Sequence, residues 1–246
     1  MRRFLIDPNV APGAIVSLSG GDSRHLVQVL RLQVGDRVQL CDGQGMAYPG
    51  RVAAIDADGA RVEVGPARPT AAESPLELVL LQGFLKEGKM DLLVRQLTEL
   101  GISRFVPVMA RRSVARPDAR RMAGRLARWR KIAAEALKQC RRGRIPKVEA
   151  ACDLDAALAA AGACDLKIVF WEAACRPLND ILAAAPPAVH SAALLLGPEG
   201  GWEEGEVAAA EGAGFAVASL GPRILRAETA ALAACTLVQH RLGDLG

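Results

Sequence analysis

Five apolar runs constrain this chain more than any other feature: LELVLL at 76–81, FVPVM at 105–109, LKIVFW at 166–171, AALLLG at 192–197 and FAVASLG at 215–221, each followed by room for a helix. A repeated strand, helix, strand pattern closes only through crossover connections, so residues beyond 75 predict an α/β domain built on a largely parallel sheet. The intervening helices have readable faces. Met90, Leu93, Val94, Leu97 and Leu100 recur at helical spacing, and Gly101 supplies a C-terminal stop. Met122, Leu126, Trp129, Ala133, Ala136, Leu137 and Cys140 form a second stripe, which leaves Arg121, Arg125, Arg128, Lys131 and Lys138 for the outer sides. Thr229–Leu242 is apolar nearly all round and must be covered by the sheet or by a second copy of the chain, so a homodimer is expected.

The stretch PARPTAAESP at 66–75 interrupts the pattern with three prolines and marks a boundary, dividing the chain into 1–72 and 73–246. Before it lie short strand-like runs, AIVSL at 14–18, RVQLCDG at 37–43, AYPGRVAAI at 47–55 and ARVEV at 60–64, with one helix-like segment, RHLVQVLR at 24–31. These predict a small, mostly β barrel. The apolar run Phe4–Ile6 is too short for a signal-peptide core, and no uncharged stretch of about 18 residues follows, so a soluble, cytoplasmic protein without membrane contact is expected. Six cysteines without a CxxC pair and three distant histidines give no zinc or disulfide pattern, and no metal is expected.

Charge is unevenly spread. Arg111 to Lys147 holds 14 Lys or Arg against Asp118 and Glu135, a net +12, while the remaining residues sum to 17 minus 25, or −8. A basic segment on an acidic chain fits a polyanion partner, because counterion release supplies most non-specific nucleic-acid affinity.

Two motifs pull in different directions. GFLKEGK at 83–89 fits the GxxxxGK of a phosphate-binding loop, but Met90 stands where such a loop needs Ser or Thr for Mg²⁺ and already belongs to the first apolar stripe. The second motif is a pair. GPEGGWEEGE at 197–206 follows one strand, and SLGPRILRAETA at 219–230 follows the next and runs into the last helix. Glycines let a backbone approach a ligand, and two such loops at strand carboxyl ends form a ligand crevice. A nucleotide hydrolase and a non-catalytic RNA-binding protein remain alternatives at this point, but neither accounts for the paired loops.

Together GPEGGW and SLGPRILRAETA resemble the cofactor segments of the knotted SPOUT methyltransferases, in particular the RsmE family that methylates N3 of uracil-1498 in 16S rRNA. HLVQVLR at 25–31, VGD at 34–36, TELG at 98–101, RRS at 111–113, RWRKIAAEALKQC at 128–140 and RIP at 144–146 are similar to that family's other motifs and occur in the same order. The resemblance implies a PUA-like RNA-binding β-barrel, then a SPOUT-type parallel sheet with a deep trefoil knot, and 16S rRNA in the small ribosomal subunit as partner. It implies that S-adenosylmethionine is held by Gly197, Glu199, Gly200, Gly201, Leu220, Gly221, Ile224 and Leu225, with Thr229 opening the next helix and Trp171 ending a neighbouring strand. Leu220, Ile224 and Leu225 would wall the adenine.

Methyl transfer is an in-line displacement that needs alignment and exclusion of water. The N3 proton of uridine is about as reluctant to leave as that of a phenol, near pKa ~10. Arg226 is the candidate to stabilise the uridine anion. Glu228 is the candidate base or Arg226 partner, with helix capping as its structural alternative. RNA contacts are expected from His25 and Arg31, and from Arg111, Arg112, Arg128, Lys138, Gln139 and Arg142.

Overall fold

The computed structural model describes residues 3–70, 73–86, 88–114 and 118–246. Part of the 66–75 linker (71 and 72) and Arg116 of the basic segment lie outside the described residues. The chain forms two compact units, Met1–Glu73 with Ala134–Ile145, and Ser74–Ala133 with Pro146–Gly246.

In the first unit the elements are β1 (Arg3–Leu5), β2 (Ile15–Ser17), α1 (Gly20–Arg24), a π-helical turn (His25–Val29), β3 (Arg37–Cys41), β4 (Met46–Asp56), β5 (Gly59–Val64) and β6 (Arg68–Pro69). They make one mixed sheet in the order β1-β3-β4-β5-β2, with β6 on β4; among the described residues the β1–β3 pair is parallel and the others are antiparallel. The run Phe4–Ile6, read from sequence only as too short for a leader, enters this sheet with Phe4 fully buried. The helix expected at 24–31 starts earlier. Ser19 caps it by accepting from Asp22 N at 3.1 Å, and the register widens at His25, whose carbonyl accepts from Leu30 N. Only Leu26 of that turn is buried, while Val27 and Val29 face solvent.

Residues 134–145, which include the end of a long helix, belong to the first unit, and several of their polar groups are paired there. Lys138 Nζ sits 2.7 Å from Asp22 and 2.8 Å from Glu135. Glu73 accepts from Arg142 at 2.9 Å and from the backbone N–H groups of Gly143 and Arg144 at 2.7 and 2.8 Å. A contiguous boundary in a linker is all that composition suggests; the tertiary ion pairs make the unit discontinuous.

The second unit runs β7 (Glu77–Gly83), α2 (Lys89–Glu99), β8 (Arg104–Val108), α3 (Ala119–Cys140), β9 (Lys147–Val148), α4 (Leu154–Ala160), β10 (Leu166–Phe170), α5 (Leu178–Ala183), β11 (Ser191–Leu196), α6 (Glu204–Gly212), β12 (Ala216–Ala218) and α7 (Ala227–Leu242). Its six strands are all parallel, in the order β12-β10-β11-β7-β8-β9. The parallel sheet expected after the linker is therefore present, with one short edge strand, β9, that two residues of sequence do not signal. Val79, Leu81, Val106, Val169 and Leu195 form its core, and the Met90, Leu93, Val94 and Leu97 stripe of α2 is buried. None of the described helices is long and apolar enough to cross a membrane.

β7 and β11 are paired from Glu77 with Ser191 to Gln82 with Leu196. Where they end, the chain after β11 crosses so close to Gly83 that a Cβ there would lie 2.4 Å from Pro198 N and 2.8 Å from Gly197 C. Gly83→Ala is expected to lower unfolding free energy by about 1–3 kcal/mol, because backbone must move to admit the methyl group. Urea unfolding checks this, and an unchanged midpoint would contradict the close approach.

Candidate functional site

The carboxyl ends of β10, β11 and β12 open into a cavity of about 700 Å³. β12 is shorter than its apolar run because Ser219–Gly221 leave the sheet, and the Ser219 hydroxyl accepts from Gly221 N at 3.2 Å. Of the residues carried over for the cofactor, Trp171, Gly197, Glu199, Gly200, Gly201, Leu220, Gly221, Ile224 and Leu225 line this cavity, and Thr229 does not. Thr229 does not open α7, which begins at Ala227, but stands inside its first turn. Ile224 is 89% exposed, so it stands at the cavity rim rather than as a packed wall.

Backbone crowding fixes the 197–201 loop. A Cβ on Gly200 would lie 2.9 Å from Arg112 Cβ, and one on Gly201, whose φ is +69°, would lie 2.7 Å from Glu172 Oε1. The segment after β8 is thus laid directly on this loop. Buried Glu206 joins the two, accepting from Arg111 N at 2.9 Å with one carboxylate oxygen and from Glu203 N at 2.9 Å with the other. The same Glu206 and Glu203 make a capping box at the start of α6. Arg112 Nη1 donates to Gly200 O at 3.3 Å, and Arg111 Nη1 pairs with Glu203 at 3.1 Å. Trp202 is buried beside the loop, with its indole N–H unpartnered.

The two candidate catalytic residues sit at the start of α7. Arg226 is its N-cap residue, exposed, and lines the cavity. Glu228 lies in the first turn, so it is not the cap; its carboxylate accepts from Lys89 Nζ at 3.1 Å. Burial alone would raise the Glu228 pKa. Its own backbone N–H, Lys89 and the charge of Arg226 outweigh burial and hold it below the ordinary glutamate value.

Lys89 is the site residue that sequence reasoning missed. It lines the cavity, pairs with Glu199 at 3.3 Å as well as with Glu228, and has its pKa raised chiefly by the hydrogen bond to Glu228. The signal was present in GFLKEGK. In that motif Gly83 serves close packing, Gly88 turns the chain at φ +86°, and Lys89 bridges two carboxylates. The adjoining α2 is anchored to α3: Asp91 accepts from Trp129 Nε1 at 2.9 Å and Arg128 Nε at 2.8 Å, and the Phe84 ring lies 5.9 Å from that of Trp129.

The candidate RNA residues divide by exposure. His25, Arg31 and Gln139 are exposed in the first unit, and Arg31 holds a φ of +52° that few non-glycine residues adopt. Arg111, Arg112 and Arg128 are exposed in the second, each with an acidic or carbonyl neighbour already named. Arg142 is 6% exposed against Glu73, and Lys138 lies between Asp22 and Glu135 with its side chain 12% exposed. Both charges are paired within the chain, which leaves these two less accessible than the others. Of the cysteines, Cys175 is exposed at the cavity, whereas burial pushes Cys235 up to about 12 and Cys41 to about 11.

Sequence and structure comparisons agree with this geometry. The RNA methyltransferase domain family matches residues 72–239, and the RNA methyltransferase PUA domain family matches residues 18–65. Ribosomal RNA small subunit methyltransferase E of Mycobacterium bovis is 32% identical over 243 residues, covering 94% of this chain and 88% of the relative. Its Bacillus subtilis counterpart is 27% identical over 98% of this chain and 97% of its own length. Among solved structures, ribosomal RNA small subunit methyltransferase E from Neisseria gonorrhoeae bound to S-adenosyl methionine superposes with a TM-score of 0.90 at 33% identity, covering 100% of both chains. A Legionella pneumophila structure in complex with the bound cofactor SAM gives 0.91 at 30% identity, covering 99% of this chain and 98% of that one.

The depressed Glu228 pKa has a checkable sign. Stability gained from the Lys89 pair is present above the ordinary glutamate range and is lost as pH falls through the lowered folded value. Wild type should exceed Glu228→Gln in stability at about pH 7, by on the order of 1 kcal/mol or less after solvent screening, and the gap should close at acid pH below the lowered folded value. Thermal unfolding at both pH values decides it; a gap that widens in acid would contradict the pairing.

Proposed function

The chain belongs to the RNA methyltransferase family, and from that premise we propose that it transfers the methyl group of S-adenosylmethionine to N3 of a uridine in 16S rRNA of the small ribosomal subunit, uracil-1498 by resemblance. The observation that carries this reading is the cavity bounded by the 197–201 and 219–226 loops, in a chain that matches an S-adenosylmethionine-bound structure over its whole length. The residues present fit the cofactor. The cavity has the size of a small-molecule site, its glycines leave main chain facing the ligand, and Leu220 and Leu225 supply apolar surface. When bound, S-adenosylmethionine supplies an electrophilic methyl group on a sulfonium.

The chain's own residues would then hold that methyl group in line with the attacking nitrogen and exclude water. Arg226, at the cavity rim, would stabilise the uridine anion through charge-assisted hydrogen bonds to a carbonyl oxygen. Lys89 favours one of the two roles open to Glu228. A carboxylate with a lowered pKa is a weak proton acceptor, so Glu228 acts in fixing the start of α7 and the field around Arg226 rather than as base.

In this reading residues 1–72 serve as a PUA-like RNA-binding barrel and 73–246 as the catalytic domain, whose 219–226 segment belongs to a deep trefoil knot. His25, Arg31, Arg111, Arg112, Arg128 and Gln139 are the RNA contacts, and the protein works in the cytoplasm. A homodimer is part of the same proposal: Leu92 on α2, Leu237 on α7 and Ile224 beside the cavity are 46%, 47% and 89% exposed, apolar surface that a second copy would cover.

Incubation of the protein with labelled S-adenosylmethionine and small subunits lacking the modification, followed by nucleoside identification, is expected to yield 3-methyluridine. Arg226→Ala should lower turnover by about 100-fold or more, in line with loss of a charge-stabilising group. Label in another nucleoside would overturn the target, and no transfer with intact folding would overturn the reaction.

A further inference from the structure

Lys89 and Glu199 line the cavity, and Glu228, itself not a lining residue, pairs with Lys89 beside it, a charge arrangement that methyl transfer does not of itself require. Lys89 Nζ lies 3.1 Å from Glu228 Oε2 and 3.3 Å from Glu199 Oε1, so one ammonium is shared by two carboxylates and the group carries a net charge of −1. Glu199 Oε1 also accepts from Lys86 N at 3.1 Å, while its Oε2 is out of contact with water and has no hydrogen-bond donor. The pairing raises the Lys89 pKa and lowers that of Glu228, which keeps that pair ionised at neutral pH. The three side chains are between one fifth and one third exposed. Glu172, Arg223 and Arg226 line the same cavity but are exposed, so water screens their fields more strongly.

We propose that Lys89 and Glu199 form a charge-selecting wall whose net charge is set in part by Glu228 paired with Lys89 beside the cavity, and that it favours the cationic sulfonium cofactor over the neutral thioether left after transfer and so promotes product exchange. This rests on the cavity being the S-adenosylmethionine site. During transfer the N3–methyl bond forms as the sulfur–methyl bond breaks, its electron pair stays on sulfur, and the N3 proton goes to solvent. The bound cofactor thereby falls from a net charge of +1 to neutral, and its Coulomb attraction to the wall is lost. For charges several ångströms apart in a partly wet site, each unit of wall charge should change discrimination by about three- to tenfold. Lys89 is in this account a specificity-determining residue: it sets the wall at −1 rather than −2.

Calorimetric titration of wild type, Lys89→Met, Glu228→Gln and the double variant tests this. The ligands are S-adenosylmethionine, S-adenosylhomocysteine, the cationic amine analogue sinefungin and neutral 5′-methylthioadenosine. The ratio of the S-adenosylhomocysteine Kd to the S-adenosylmethionine Kd is expected to rise about three- to tenfold in Lys89→Met, to fall by a similar factor in Glu228→Gln, and to return near wild type in the double variant. Sinefungin should follow S-adenosylmethionine, and 5′-methylthioadenosine should follow S-adenosylhomocysteine. Parallel weakening of all four ligands, with a constant ratio across the series, would make the group purely structural and overturn the proposal. Should the variants not fold, wild type alone still decides: its ratio should shrink as salt is raised, and a salt-independent ratio overturns selection by charge. Wild type that binds none of the four ligands would instead overturn the assignment of the cavity itself.

Discussion

The pairing of β7 with β11 is the constraint on which the site depends. These strands are separated by more than a hundred residues, yet their register from Glu77–Ser191 to Gln82–Leu196 delivers two loops to one point at the carboxyl edge of the sheet. Gln82 fastens that point, its side-chain amide donating to Gly197 O at 3.0 Å. Gly83 then allows contact without side chains between the backbones. Parallel strands with crossovers on both sides place ligand crevices at such edges. Here the crevice gains a third strand end from β10 and a fourth from β12, and the 219–226 loop completes its rim.

From that junction outward, the site is held by carboxylates whose direct partners are backbone N–H groups and a lysine. Glu206 bonds the segment after β8 to the start of α6, and Glu199 and Glu228 converge on Lys89 at the start of α2. Asp91, two residues along the same helix, grips Trp129 and Arg128 of α3. The basic helix and the cofactor wall therefore share one short structural element. A loop whose backbone meets the ligand must be preorganised by its surroundings if it is to align a reacting methyl group, and these contacts do that.

The parallel sheet and its two glycine-containing loops were legible because their signals are local: apolar runs at strand length, and Gly-Pro clusters immediately after them. Lys89 was not, because GFLKEGK matches a phosphate loop in spacing while its real partners, Glu199 and Glu228, lie 110 and 139 positions away. Arg142 shows the same limit from the other side. Within a run of basic residues it reads as surface, yet it is buried and paired with Glu73, 69 positions earlier beside the proline-rich linker. Capping stood as an alternative for Glu228 because the apolar pattern of α7 starts at Thr229; the helix itself opens two residues sooner, at Ala227. Pattern gives the elements, and long-range ion pairs decide which charged residues remain available to a partner.

The central claim is that the loops after β11 and β12 grip S-adenosylmethionine, and a crystal structure of this protein grown with the cofactor tests it most directly. The account predicts the adenosyl group between the 197–201 and 219–225 main chain, with the methyl-bearing sulfur on the side of Arg226 and the Lys89 bridge intact. Cofactor bound elsewhere on the chain, with those two loops making no contact to it, would contradict the account.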